Sequence, residues 1–181
     1  MLQSEVKDWE TGYVQVYTGD GKGKTTAAFG LALRAAGRGL PVYIGQFMKG
    51  RHYGELDSVK LLPGVELEQY GEPGWVYQDR LKPEQLDQAA RGLARARAVL
   101  VSGKHRLVIL DELNIAVWFG LIEVEAVLEL IRQKPISTEL VLTGRRADER
   151  VMEAADLVTE MKAIRHYYDT RKLGARVGIE E

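Results

Sequence analysis

Tyr13-Val14-Gln15-Val16-Tyr17-Thr18-Gly19-Asp20-Gly21-Lys22-Gly23-Lys24-Thr25-Thr26-Ala27-Ala28-Phe29-Gly30 passes from a β-rich run through a glycine-punctuated turn into an alanine-rich segment. Strand, glycine loop, helix is the order a phosphate cradle requires. Glycines let the backbone wrap closely around phosphates. The N–H groups of Gly19, Asp20, Gly21, Lys22, Gly23, Lys24, Thr25 and Thr26 then stand as candidate donors to the phosphates. Lys24 supplies a charge that reaches the β- and γ-phosphates, and Thr25 places a hydroxyl where Mg²⁺ would sit. The general pattern is G-x-x-x-x-G-K-[ST], and Thr18 occupies its first position. A merely solvated glycine turn has no need of a strand before it and a helix behind it. The stretch is read as a nucleoside triphosphate site.

The second decisive run is Arg106-Leu107-Val108-Ile109-Leu110-Asp111-Glu112. Four consecutive apolar residues make a buried strand with two carboxylates at its C-terminal end. In a phosphate-loop protein that end lies beside the loop, so an acid there holds Mg²⁺ directly or through water. Such pairs are common by chance; Lys24-Thr25 upstream is what gives this one meaning.

Between and beyond these runs, strands and helices alternate. A helix is expected from Thr25 to about Ala36, with Phe29 and Leu33 on one face beside Gly30 and Ala32, ended by Gly37-Arg38-Gly39. Strands are expected at Val42–Phe47, Val65–Tyr70, Glu139–Gly144 and Leu157–Met161. Helices are expected at Glu55–Leu62, Pro83–Val101, Glu123–Gln133 and Asp148–Ala154. The longest, from Pro83, has apolar positions at Leu86, Ala89, Ala90, Leu93 and Leu100, and Arg91, Arg95 and Arg97 on a solvated outer side. Lys49 and Arg51 follow a strand at the ligand edge, where either a phosphate or acidic substrate or plain solvent suits them. Trp75 sits in a Gly/Pro-rich turn, where covering an apolar ligand and plugging the core are equal readings. The alternation gives a mostly parallel, three-layer α/β/α sheet. One domain is expected over residues 1–181, with 1–12 as an arm.

Composition excludes several classes. Lys+Arg 25 against Asp+Glu 26 leaves no basic field for nucleic acid. With no cysteine there are no disulfides, thiolate metal sites or cysteine nucleophile, as suits a reducing cytoplasm. Met1–Thr11 is unlike a signal peptide, and Asp111, Glu112 and Asn114 interrupt the most apolar region, Leu107–Ile122, so no membrane span is expected. The three histidines are scattered and form no metal pattern.

Several segments together resemble the ATP:corrinoid adenosyltransferases of the phosphate-loop type, which act in cobalamin synthesis and salvage. They are Thr18–Gly30, then Gln46-Phe47-Met48-Lys49-Gly50, Val108-Ile109-Leu110-Asp111-Glu112-Leu113, Thr143-Gly144-Arg145 and the tail Gly178-Ile179-Glu180, in family order. The Thr18 departure belongs to that family pattern. Asp20 stands where asparagine is commoner, and Pro73 replaces the first of an aromatic pair whose second member Trp75 matches. The resemblance implies a P-loop NTPase-like (RecA-like) fold and attack of Co(I) of a reduced corrinoid on the 5′-carbon of ATP, with inorganic triphosphate leaving. It implies Lys24, Thr25 and Glu112 as catalytic, Mg²⁺ (or Mn²⁺) held near Thr25 and Glu112 with Asp111 behind, and Trp75 and Lys49 touching the corrinoid. The sequence does not separate the two carboxylates. A transient flavoprotein reductant and a homodimer are further implied.

Three other readings stay open. A RecA-like ATPase would use Glu112 as general base toward water. A zinc-carrying nucleoside kinase would need four cysteines, which are absent. A nucleotide-gated corrinoid carrier would be expected to show Asp-x-His-x-x-Gly, and the sequence has none.

Overall fold

The computed structural model describes residues 9–74 and 76–180. The runs rich in β-branched and aliphatic residues become strands β1 (Val14–Thr18), β2 (Val42–Phe47), β3 (Val65–Tyr70), β4 (Leu107–Asp111), β5 (Glu139–Thr143) and β6 (Leu157–Glu160). Between and after them lie α1 (Lys24–Ala36), α2 (Gly54–Val59), α3 (Pro83–Val101), α4 (Leu113–Trp118), α5 (Val124–Arg132), α6 (Glu149–Glu153) and α7 (Tyr167–Arg171). The strands form one six-stranded sheet, ordered β3-β2-β4-β5-β1-β6. Every pairing is parallel. The expected mostly parallel sheet is therefore wholly parallel among the described residues.

The period-two alternation of strand side chains sorts the core into two layers. Val42, Ile44, Leu107, Ile109 and Val141 face α1 and α2, where they meet Ala28, Ala32, Ala35 and Val59. Tyr43, Phe47, Val108, Leu110, Leu140 and Leu142 face the opposite way, onto α3, α4, α5 and α6. β2 and β4 are buried at every position, as central parallel strands covered on both faces must be.

Two helix faces differ from the expected ones. On α1 the sheet-facing residues are Ala28, Ala32 and Ala35, while Leu33 is 57 % exposed. Alanine lets the helix sit close to the strands, with Phe29 and Leu31 packed at the margin of that layer and Leu33 turned outward. On α3 the buried residues are Ala89, Gly92, Ala96, Val99 and Leu100, while Leu86 and Ala90 are exposed. Gly92 decides this rotation, because a Cβ there would lie 2.6 Å from the Tyr70 ring and 2.8 Å from Phe47. Arg95 on the outer side pairs with Glu68, at 3.1 Å.

The sequence pattern does not announce α4 or α7. α4 is only six residues long, too short for a helical period to emerge, and starts directly after β4. Among the described residues no helix is long and apolar enough to cross a membrane.

Candidate functional site

β1 feeds the glycine loop at the C-terminal edge of the sheet, and the loop opens directly into α1. Gly19 (φ 93°) and Gly23 (φ 116°) take left-handed backbone that a side chain would strain. Gly21 N–H donates to the Met161 carbonyl at 2.6 Å, tying the loop to the end of β6. A Cβ on Gly19 or Gly21 would come within 2.5 or 2.6 Å of that same carbonyl oxygen. The glycines thus allow close packing on the outer side as well as the φ values. Lys24 is nearly buried, its Nζ donating to the carbonyls of Gly19 at 2.8 Å and Gly21 at 2.6 Å. Burial lowers its pKa, opposed by the Glu112 charge.

β5 lies between β1 and β4 in the sheet, so the two motif strands do not pair. Their ends still meet. Asp111, fully buried, accepts on Oδ1 from the Thr25 hydroxyl at 2.9 Å and the Thr143 hydroxyl at 2.7 Å. Its Oδ2 accepts from Gln46 Nε2 at 3.2 Å and pairs with Lys49 Nζ at 3.0 Å. Thr143 Oγ1, contributed by the intervening strand, also accepts from the Glu112 N–H at 3.0 Å. One threonine therefore fixes both carboxylate-bearing residues.

Lys49 lies between Asp111 and Glu55, the latter at 3.2 Å. Burial works against its charge, but the two carboxylates outweigh it and its pKa is held above the ordinary value. Glu112 is pushed the other way from an ordinary carboxyl: burial and the Asp111 charge raise its pKa, against Lys49, Lys24 and Arg145. Among the described residues no three His, Cys, Asp or Glu side chains cluster as a ready-made metal site.

A cleft of about 530 Å³ lies over this edge of the sheet. Asp20 of the loop and Glu112 line one part, and Lys49, Arg51, Arg145 and Arg146 supply cationic groups. Ile115, Trp118 and Phe119, from α4 and its end, form an apolar wall, with Met48 and Val76 also facing the cleft. Met48 (φ 57°), Glu112 (φ 61°) and Arg146 (φ 56°) all hold left-handed backbone and all line it. Each such residue costs roughly 1–2 kcal/mol, and strain of this kind gathers where side chains are aimed at a ligand.

The loop, Thr25, Asp111, Glu112 and Lys49 are thus brought together, with Lys49 engaged by carboxylates. Trp75 lies outside the described residues. Sequence reasoning missed Trp118 and Phe119. Trp118 is 45 % exposed for so large a side chain, and its ring packs edge-on against Phe119, with centroids 5.1 Å apart. An aromatic pair following a strand-end acidic pair after five intervening residues was the available signal.

A family model described as "ATP:corrinoid adenosyltransferase BtuR/CobO/CobP" matches residues 10–180. A corrinoid adenosyltransferase of Sinorhizobium sp is 35 % identical over 175 residues, spanning 94 % of this chain and 81 % of the relative. One from Pseudomonas aeruginosa is 36 % identical over 173 residues, spanning 94 % and 84 %. One from Escherichia coli K12 is 32 % identical over 171 residues, spanning 94 % and 86 %.

Proposed function

The chain belongs to the ATP:corrinoid adenosyltransferase family, and from that membership we propose how its cleft carries out the transfer. ATP lays its triphosphate on the Gly19–Thr26 loop, and a reduced corrinoid enters the cleft beside it. Co(I) of the corrinoid supplies the electron pair of a new bond to the 5′-carbon. The C5′–O bond breaks with its own pair going to the leaving oxygen, and inorganic triphosphate departs. Because the nucleophile belongs to the substrate, the protein contributes positioning and stabilisation of charge.

Lys24 would exchange the carbonyls of Gly19 and Gly21 for phosphate oxygens. Glu112 lines the cleft, whereas Asp111 already serves Thr25, Thr143, Gln46 and Lys49. This favours Glu112 and Thr25 as direct partners of Mg²⁺ (or Mn²⁺), with Asp111 orienting Thr25. Such an ion would complete its shell with phosphate oxygens and water, so it would not require an all-protein cage. When bound it neutralises charge gathering on the triphosphate.

Trp118 and Phe119 would press on the corrinoid and exclude water from cobalt, alongside Trp75. The two ion pairs of Lys49 favour a role beside the carboxylates over corrinoid contact. A homodimer fits the outer edge of the sheet, where all four β6 residues are exposed, Leu157 and Val158 at 44 %. A cytoplasmic setting with a transient flavoprotein reductant completes the proposal.

The single observation that carries this reading is that Asp20 of the glycine loop, the strand-end Glu112 and an aromatic wall line one cleft. The test measures triphosphate and orthophosphate release with and without chemically reduced corrinoid. Triphosphate released one-for-one with adenosylated corrinoid is expected. Orthophosphate release that ignores corrinoid would mean an ordinary ATPase.

A further inference from the structure

Residues 162–180 run over the surface after β6 with little apolar burial, and α7 has no buried residue. One polar cluster ties this tail down, and its partner is the phosphate loop. Lys22 Nζ, on the loop's crown, meets Glu180 Oε1 at 2.5 Å, Tyr167 OH at 3.0 Å and the Ile179 carbonyl at 3.4 Å. Glu180 in turn accepts from the Tyr167 hydroxyl, and Arg176 reaches both its oxygens, at 3.0 and 3.2 Å. The Arg176 N–H donates to Oε2 at 2.9 Å, and its guanidinium lies 4.8 Å from the Tyr167 ring centroid. The Glu180 side chain is 17 % exposed. Arg176, Lys22 and Tyr167 hold its carboxyl below the usual carboxylate range.

The three anchors of the loop now differ in kind. Lys24 holds it from inside through Gly19 and Gly21, and Met161 holds Gly21 from the sheet edge. The Lys22 contact is the anchor on the crown, and it bridges 158 positions in sequence. A loop that binds through backbone donors loses affinity for every alternative shape its backbone can reach, because only the competent fraction binds.

We propose that Glu180 is a positioning residue for the phosphate loop: by clasping Lys22 with Tyr167 and Arg176, the tail holds the loop in its anion-binding shape. The clasp draws the Lys22 ammonium to the outer side and leaves the inner side to Lys24 and the backbone donors. This rests on the reading of the loop as the triphosphate site, and it concerns affinity for the triphosphate, not bond breaking at C5′.

The test titrates ATP and, separately, inorganic triphosphate into the full chain by calorimetry. Wild type, Glu180→Ala, Tyr167→Phe, Lys22→Met and the Lys22→Met/Glu180→Ala pair are compared, each with a thermal melt. Glu180→Ala is expected to weaken both ligands roughly fivefold, as if the competent fraction fell to a fifth, with kcat at saturating ATP within about twofold of wild type. Tyr167→Phe, which keeps the ring and removes one hydroxyl, should move affinity in the same direction and serves if Glu180→Ala does not fold. Added to Lys22→Met, Glu180→Ala should bring no further loss, since the two act through one contact. Unchanged affinity in Glu180→Ala and Tyr167→Phe, or additive losses in the pair, would overturn the clasp while leaving the loop's role standing. Failure of wild type to bind either ligand would overturn the loop reading and the clasp with it.

Discussion

In the proposed complex Lys24 exchanges its two carbonyl partners for phosphate oxygens, and burial, which lowers its pKa, does not suit its charge. Phosphate supplies what the carbonyls lack, a full opposite charge. Lys24→Ala should therefore weaken ATP by about 1.5–3 kcal/mol, on the order of ten- to a hundredfold in Kd, measured by calorimetry. Glu112 is the complementary case. Burial and the Asp111 charge raise its pKa, so in the folded, ligand-free protein the charged form is disfavoured. By linkage this destabilises the fold as pH rises from the ordinary glutamate value through the raised one, and leaves stability intact below it. Glu112→Gln is expected to melt higher than wild type at pH 7–8, the gap closing as pH falls. A gap that stays constant with pH would place the carboxylate in solvent. The same variant should lose turnover, with partial return at high Mg²⁺ concentration.

Elements matter here through where they allow close approach. α3 meets the sheet at Gly92, against Tyr70 and Phe47, whereas a methyl added to Gly30 inside α1 would have nothing within 4 Å. Alanine is the better helix former at both by roughly 1 kcal/mol. Packing reverses the sign at one of them. Gly30→Ala should stabilise, and Gly92→Ala should destabilise by about 1–3 kcal/mol through overpacking, both read by urea unfolding. α4 serves the core and the cleft together, with Leu113 and Ala116 buried in the core. It follows β4 through a left-handed Glu112 and carries Trp118 into the cleft. Trp118→Ala should leave ATP affinity nearly unchanged, because the loop works through backbone donors on another element. Affinity for corrinoid should fall several-fold, roughly the 1 kcal/mol or more expected of a lost aromatic contact. Equal losses for both ligands, with a lowered melting temperature, would make Trp118 a packing residue.

The whole molecule is a parallel sheet whose C-terminal edge gathers residues from β1, β2, β4 and β5 together with the tail, so ligand binding should be felt globally. ATP at about a hundred times its Kd should add ~2.7 kcal/mol to stability, raising Tm by roughly 5–10 °C for a chain of this size. Lys24→Ala should lose most of that shift at the same ATP concentration. Much of this architecture is legible locally. A glycine loop between a β-rich run and an alanine-rich run, or four apolar residues before Asp111-Glu112, carries its meaning in consecutive residues, because backbone conformation and strand burial respond to near neighbours. For that reason β2, β3 and α3 are legible to their observed ends. The facing of α1 and α3 is not, since small residues at Ala28, Ala32 and Gly92 look indifferent until the partner surface is known. Nor is α4, whose six residues hold less than two helical turns. The insertion of β5 between β1 and β4, the shared Thr143, and the return of Glu180 to Lys22 depend on contacts between residues far apart in sequence. The chain's local sequence determined the glycine loop and the acidic strand end; only tertiary packing, which selects partners by shape and charge across such distances, decided how they are held and what faces them.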